Sequence, residues 1–278
     1  MSVRLFANGA KYVCGGSVLR PNVVLTAAHC VSPTLDKPNE PFGNGSPSVS
    51  INNYLLPGVL AAADVPDWDA PGGNPDAVPA SGLVMSKAVV TTAGWNVSNN
   101  AWGGFDLALL LLEEDLVGVE PVKLPAPGTT YAAGDPFTIA GWGNIGSMYP
   151  SGEFYIVPPT LMEAQVEYIP TQACVDMYEA VFTELGAVWE DELAAEGMWI
   201  RAQGALENGA YTDICQGDSG GPLSIIDGNG DATVAGIVSF VGSPCGTVAG
   251  RAPGVYTNVA KFSSWIEGWI DVWERKHG

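Results

Sequence analysis

Short apolar runs recur along the chain between turn-forming residues: Ser17–Leu19, Val23–Ala27, Leu107–Leu112, Phe137–Ala140, Val234–Phe240 and Gly254–Val259. Many of their residues are β-branched and Gly, Pro or Asn bounds them, a pattern that predicts strands. Neither a βαβ alternation nor an internal repeat is visible, so the expected class is all-β, a barrel or a sandwich. Two stretches follow the helical period instead. Residues 171–200 open on Thr171, are rich in Glu and Ala, and space Val175, Tyr178, Val181, Phe182 and Leu185 helically. Ala260–Lys276 repeats Phe262, Trp265, Ile266, Trp269, Ile270 and Trp273 at intervals of three and four, predicting a helix docked on the β-structure. Residues 32–81, rich in Pro, Gly, Asn and Asp, break both patterns and read mostly as a long loop or insertion.

Composition narrows the function classes. A chain of 278 residues that is 47% hydrophobic can bury a sizeable core, and its 35 glycines and 21 prolines suit many turns. No apolar run nears the roughly 20 residues that a bilayer span needs; the longest, Leu107–Leu112, is strand-sized. Thirty acidic against eleven basic residues give a formal charge of −19, which argues against nucleic acid and anionic membranes as partners. Five cysteines leave at least one unpaired within the chain, and without a CxxC pair and with two histidines no zinc site is expected. Asp64, Asp67, Asp69 and Asp76 fit no EF-hand spacing. Asn44-Gly45-Ser46 and Asn96-Val97-Ser98 are glycosylation sequons. Met1–Phe6 lacks the basic region and long apolar core of a signal peptide.

The stretch Cys215-Gln216-Gly217-Asp218-Ser219-Gly220-Gly221-Pro222 offers Ser219 as a nucleophile, and residue order tests which machinery it could belong to. An α/β-hydrolase elbow needs an acid and a histidine after the serine, and only the penultimate His277 follows. A subtilisin-like order needs an acid before the histidine, yet residues 1–28 contain none. The order His, Asp, Ser fits. His29 lies just after the apolar strand Val23–Ala27, beside Cys30, and Asp106 sits at the mouth of the Leu107–Leu112 run. A buried carboxylate there needs a partner, and an imidazole supplies one.

With these segments in hand, the chain resembles the chymotrypsin/trypsin family of serine endopeptidases. The resemblance rests on Cys14-Gly15-Gly16-Ser17-Val18-Leu19, Leu25-Thr26-Ala27-Ala28-His29-Cys30, Asp106–Leu110, Gly141-Trp142-Gly143, Cys215–Leu223 and Pro253-Gly254-Val255-Tyr256-Thr257-Asn258-Val259, all in the family's order. It implies two packed six-stranded antiparallel β-barrels with a C-terminal helix and an extra helix in the second half. Residues 1–122 would form the first barrel, with the insertion at about 32–81, and 123–278 the second barrel with its helix. It also implies a catalytic triad of Ser219, His29 and Asp106, an oxyanion hole of the Gly217 and Ser219 N–H groups, and a hydroxyl of Ser239 on Asp106. The implied disulfides are Cys14–Cys30 and Cys215–Cys245; Cys174 stays unpaired because its usual partner would fall near Met198–Ile200, where no thiol exists. Disulfides imply an oxidising compartment, hence secretion.

Specificity is divided between two readings. Asp213, six residues before Ser219, matches the aspartate that selects Arg or Lys, and Gly254 matches a small pocket-wall residue. Val241 stands where an open pocket has glycine, and Ile214 replaces a smaller or hydroxylated neighbour of Asp213, both of which suit a narrowed pocket. Residues 239–241, including Phe240, would pair with substrate backbone. Asp218 matches the acceptor of a newly freed N-terminal ammonium, but no Ile-Val-Gly-Gly segment precedes Cys14. The expected function is therefore a serine endopeptidase without metal or cofactor. A zymogen-like or inactive homologue that binds proteins through the same groove is the alternative. Polypeptide substrates and protein protease inhibitors are the implied partners, with a monomer as the implied state.

Overall fold

The computed structural model describes residues 2–7, 12–31, 48–50, 83–95, 103–145, 158, 160–184, 197–207, 210–241 and 252–277. The two sequons, Cys245, the acids at 64–76 and most of the 32–81 segment lie outside them.

Six strands close the first barrel: β1 (Ser2–Ala7), β2 (Tyr12–Arg20), β3 (Val23–Thr26), β4 (Ser48–Ser50), β5 (Leu83–Thr91) and β6 (Ala108–Leu112). Their order around the barrel is β1-β2-β3-β6-β5-β4, with every neighbour antiparallel. Strands β3 and β6 are buried along their whole length, which is why they read as unbroken apolar runs instead of an alternation. The segment from 32 to 81 is not wholly loop, since β4 falls within it and closes the barrel between β1 and β5. Three residues of alternating Ser and Val are too few to stand out in so polar a stretch. A four-residue helical turn, α1 (Ala28–Val31), leaves the end of β3.

The second barrel contains β7 (Pro136–Gly141), β8 (Met162–Tyr168) and β9 (Trp199–Gln203), with helix α2 (Thr171–Glu184) between the last two. A small pair, β10 (Leu206–Glu207) and β11 (Ala210–Tyr211), follows. Then β12 (Pro222–Ile226), β13 (Ala232–Val241) and β14 (Gly254–Asn258) complete the order β12-β13-β14-β9-β8-β7. Of the helix expected over 171–200, Thr171–Glu184 is helical, 185–196 lie outside the described residues, and 197–200 are turn and strand. Gly197 takes a positive φ of 79°, a turn conformation, and Trp199 and Ile200 pair in β9 with Thr257 and Tyr256 of β14.

A 3₁₀ turn (Val259–Lys261), capped by the Asn258 side chain, leads into helix α3 (Ser263–His277). The apolar stripe of α3 is real but narrower than its spacing suggests: Ile266, Ile270 and Trp273 are buried, whereas Trp269 is 37% exposed. This face joins Phe262 and the first barrel's Val18, Leu19 and Leu116 in one core cluster, so a helix from the second half docks on the first. Burial of each such side chain contributes roughly 1.5–3 kcal/mol. Arg20 of β2 adds ion pairs to Glu267 (3.2 Å) and Glu274 (3.5 Å). All three side chains are well exposed, so these pairs contribute little beside the apolar contact.

Candidate active site

The seam between the barrels gathers the chemistry-bearing residues. His29 is carried by α1 at the end of β3, and Cys30 next to it is disulfide-bonded to Cys14 of β2. The bridge closes a separation of 16 residues, worth roughly 3 kcal/mol in the chain-entropy picture. It also holds the His29 turn against the adjacent strand.

Asp106 lies two residues before β6 and is fully buried. Its Oδ1 accepts the His29 backbone N–H at 2.9 Å, and its Oδ2 lies 2.7 Å from His29 Nδ1. The Ser239 hydroxyl also donates to Oδ2, at 2.6 Å. Ser239 falls at a register shift in β13, between Val238 and Phe240, and such a bulge re-aims a side chain that regular pairing would direct elsewhere. Burial alone would drive both groups neutral. In His29 the desolvation is outweighed by the charge and hydrogen bond of Asp106, which raise its pKa above the ordinary imidazole value. In Asp106 the same contest ends with the pKa lowered, through the His29 charge and hydrogen bonds from His29 and Ser239.

Ser219 sits on the loop before β12, and the first barrel holds its backbone: Gly15 N–H donates to Ser219 C=O at 2.7 Å. Gly220, at φ 77°, packs so closely on the end of β3 that a Cβ there would collide with Thr26 Oγ1. The nucleophile loop is thereby pressed onto the strand that carries His29. Ser219 Oγ makes no hydrogen bond to His29 among the described residues. Gly217 has a φ of 97°, open to glycine and strained for other residues. The N–H groups of Gly217 and Ser219 donate to no backbone carbonyl among the described residues, whereas those of Asp218, Gly220 and Gly221 do.

Asp218 turns away from this face. Its carboxylate accepts from Gly143 N–H (2.8 Å) and Cys215 N–H (2.9 Å), and a side chain at Gly141 or Gly143 would collide with it. That close approach explains the two glycines of Gly141-Trp142-Gly143. Burial raises the Asp218 pKa against the effect of those amides. Beside it opens a cavity of about 250 Å³, lined in part by Ile139, Asn144, Met162, Thr212 and Val238. The cavity lies behind the nucleophile loop, and neither His29 nor Ser219 lines it.

Asp213 is fixed by two backbone donors, Ile214 N–H to Oδ1 (2.8 Å) and Gly254 N–H to Oδ2 (3.0 Å). Desolvation outweighs those bonds and pushes its pKa up to about 8. Gly254 is closely packed, because a Cβ there would stand 2.6 Å from Asp213 Oδ1 and 2.9 Å from Tyr256 Oη. Ile214 packs in the core of the second barrel, lines the cavity beside Asp213, and gives Asp213 its amide. Val241 pairs with Gly254 across β13 and β14 and is partly exposed. Phe240 stands edge-on to Trp199, ring centroids 5.5 Å apart. Cys215 is disulfide-bonded, and Cys174 is a buried free thiol.

Two clusters bear on metal binding. The ligand atoms of Cys14, His29 and Cys30 lie within 4.8 Å of one another, but the sulfurs of Cys14 and Cys30 are joined, so neither is available as a thiolate. In the turn between β12 and β13, Asp227 Oδ1 accepts the N–H groups of Asn229 and Asp231, and Asp231 pairs with Lys123. A lysine ammonium already supplies the cation there.

Three further residues support the site. Gly15 anchors Ser219, Trp199 braces Phe240, and Thr257 donates its hydroxyl to the Asp106 carbonyl at 2.9 Å. The available signal was a polar residue in an otherwise buried strand, since all five positions of β14 are buried.

Comparison with known proteins agrees with this layout. The family model described as Trypsin matches residues 1–50 and 81–266, leaving 51–80 as the unmatched interior segment. Human kallikrein-8 is 30% identical over 262 residues, covering 93% of this chain and 77% of its own length. Protein masquerade of Drosophila melanogaster is also 30% identical, over 267 residues, but the chain spans only 21% of that protein. Among solved structures, mouse neuropsin, described as a serine protease expressed in the limbic system of the brain, superposes with a TM-score of 0.62 at 25% identity, covering 97% of this chain and 93% of its own.

Proposed function

Because the chain belongs to the trypsin family of serine endopeptidases, we propose that it cleaves peptide bonds through Ser219, His29 and Asp106. Ser219 Oγ attacks the scissile carbonyl while His29 Nε2 takes its proton and then returns it to the leaving amine; water hydrolyses the acyl-enzyme by the reverse sequence. The observation that carries this reading is the buried Asp106 carboxylate, 2.7 Å from His29 Nδ1. It commits Nδ1 as the donor and leaves Nε2 as the base, and it stabilises the imidazolium as it forms. The N–H groups of Gly217 and Ser219 receive the oxyanion, each donor worth roughly 2.7–4 kcal/mol.

Asp213 selects Arg or Lys in the residue before the scissile bond, its fixed carboxylate meeting the incoming cation in a desolvated site. Ile214, Gly254 and Val241 shape that pocket, and Ser239–Val241 line the substrate backbone. Peptide substrates and protein inhibitors share this groove. The units are residues 1–122 and 123–278, acting together as one monomeric peptidase, and the Cys14–Cys30 bridge supports secretion.

Asp218 gives the zymogen-like reading its specific support: a buried carboxylate faces a cavity whose lining also includes Asp213 and Glu163 and, among the described residues, no cationic side chain. Full activity then depends on an α-ammonium reaching that cavity. Labelling with a fluorophosphonate probe tests both readings. The expected result is labelling that disappears in Ser219→Ala and increases when a dipeptide with a free isoleucine α-amine is added. Labelling that survives in Ser219→Ala, or none with or without the dipeptide, sinks the enzyme reading and leaves the binding module.

A further inference from the structure

Asp106 is held at both ends by hydroxyls from the opposite barrel. Ser239 of β13 donates to the carboxylate, and Thr257 of β14 donates to the main-chain carbonyl at 2.9 Å. Thr257 is fully buried, and among the described residues its hydroxyl is the one donor to that carbonyl. The flanking carbonyl is held separately: Phe105 C=O accepts from Thr92 Oγ1 and from Leu107 N–H, both at 2.8 Å. Asp106 lies two residues before β6, outside the ladder that begins with Ala108 opposite Thr26 and Thr91. The backbone that aims the carboxylate at His29 therefore depends on a side chain 151 residues away.

Resting on the triad reading above, we propose that Thr257 is a positioning residue for the reaction: its hydroxyl sets the backbone of Asp106 across the seam and so fixes how its carboxylate meets His29. The bond does more than satisfy an acceptor. It spans the two barrels, so a small shift between them is passed to Asp106 as a rotation about its own Cα. Displacements of about 1 Å in such a group are felt strongly by the chemistry. The chemistry required of position 257 is a short side chain with a strong donor, which Thr and Ser share. Valine keeps the shape without the donor, and cysteine offers a weaker one.

The test compares Thr257→Val, Thr257→Ser and Thr257→Cys with the wild type. Steady-state kinetics over a pH series is paired with the low-field proton resonance of His29 Nδ1–H. The expected pattern is a fall of about tenfold in kcat for Thr257→Val with KM nearly unchanged. Its acid limb shifts toward the ordinary imidazole pKa and the Nδ1–H resonance moves. Thr257→Ser stays within about twofold of the wild type and Thr257→Cys falls between. A folded Thr257→Val with wild-type kcat, pH profile and resonance overturns the proposal. If Thr257→Val does not fold, wild-type values in Thr257→Cys overturn it equally. The resonance is readable without turnover, so a chain that hydrolyses nothing but whose Nδ1–H moves in Thr257→Val sinks the protease reading while upholding the positioning role.

Discussion

A carboxylate without water is useful in proportion to how completely its neighbours account for it, and the acids of this site differ in that respect. Asp106 meets a protonatable ring, a hydroxyl and an amide, and stays ionised. Asp213 meets two amides alone, and its pKa rises to about 8. Asp106→Asn should leave the fold intact but lower kcat by about 10⁴-fold, the magnitude established for the triad of this family, by stabilising the wrong His29 tautomer. The acid limb of kcat/KM in the wild type should lie above the ordinary imidazole pKa, because His29 must be neutral to act as base and its pKa is raised. For Asp213, cleavage after Arg or Lys should strengthen as pH rises through about 8, where the carboxyl ionises, as an additional limb. Asp213→Ser should abolish that limb and equalise substrates with Arg and Ala before the scissile bond. A wild type that already favours Ala over Arg before the scissile bond would instead support the narrowed-pocket reading of Val241.

At the scale of elements, legibility followed the range of the forces involved. Strands β3, β6, β13 and β14 were visible because their burial is written as local apolar runs. The order His29, Asp106, Ser219 could be read because the three orders tested place the acid and base differently. The helix expected over 171–200 reached too far, since its apolar spacing ends at Leu185 and the Glu- and Ala-rich residues beyond it lead to the Gly197 turn and the β9 pairing. Strand β4 was missed because three residues carry too little pattern. Thr257 and Gly15 could not be singled out, because their meaning lies in contacts with Asp106 and Ser219 that only the closed barrels create. Helix α3 offers the clearest test of element energetics. Ile266 is fully buried in the cluster shared with the first barrel, so Ile266→Ala should destabilise the protein by about 2–5 kcal/mol, read as a shift in the denaturation midpoint.

Across the whole molecule, pH acts through the buried acids with a definite sign. The folded pKa values of Asp213 and Asp218 are raised, so the folded state holds protons that the unfolded chain has released. Stability should therefore decline as pH climbs from the ordinary carboxylate range toward about 8. The Asp106–His29 pair acts otherwise: its contribution fades in acid as Asp106 protonates through its lowered pKa and fades in alkali as His29 deprotonates through its raised one. Thermal melts of Asp213→Asn against the wild type separate the two, and the variant should show the flatter decline between pH 5 and 8. An arylamidinium ligand should raise the wild-type melting temperature more at pH 8 than at pH 6, and should leave the variant unmoved.

The docking of α3 onto the first barrel also has a meaning in time. This helix leaves the ribosome after every other element of the fold, yet it completes the cluster that Val18, Leu19 and Leu116 begin. Until it arrives, the first barrel lacks part of its apolar cover. A nascent chain thus carries His29, Asp106 and Ser219 before the apolar cluster that α3 completes can close.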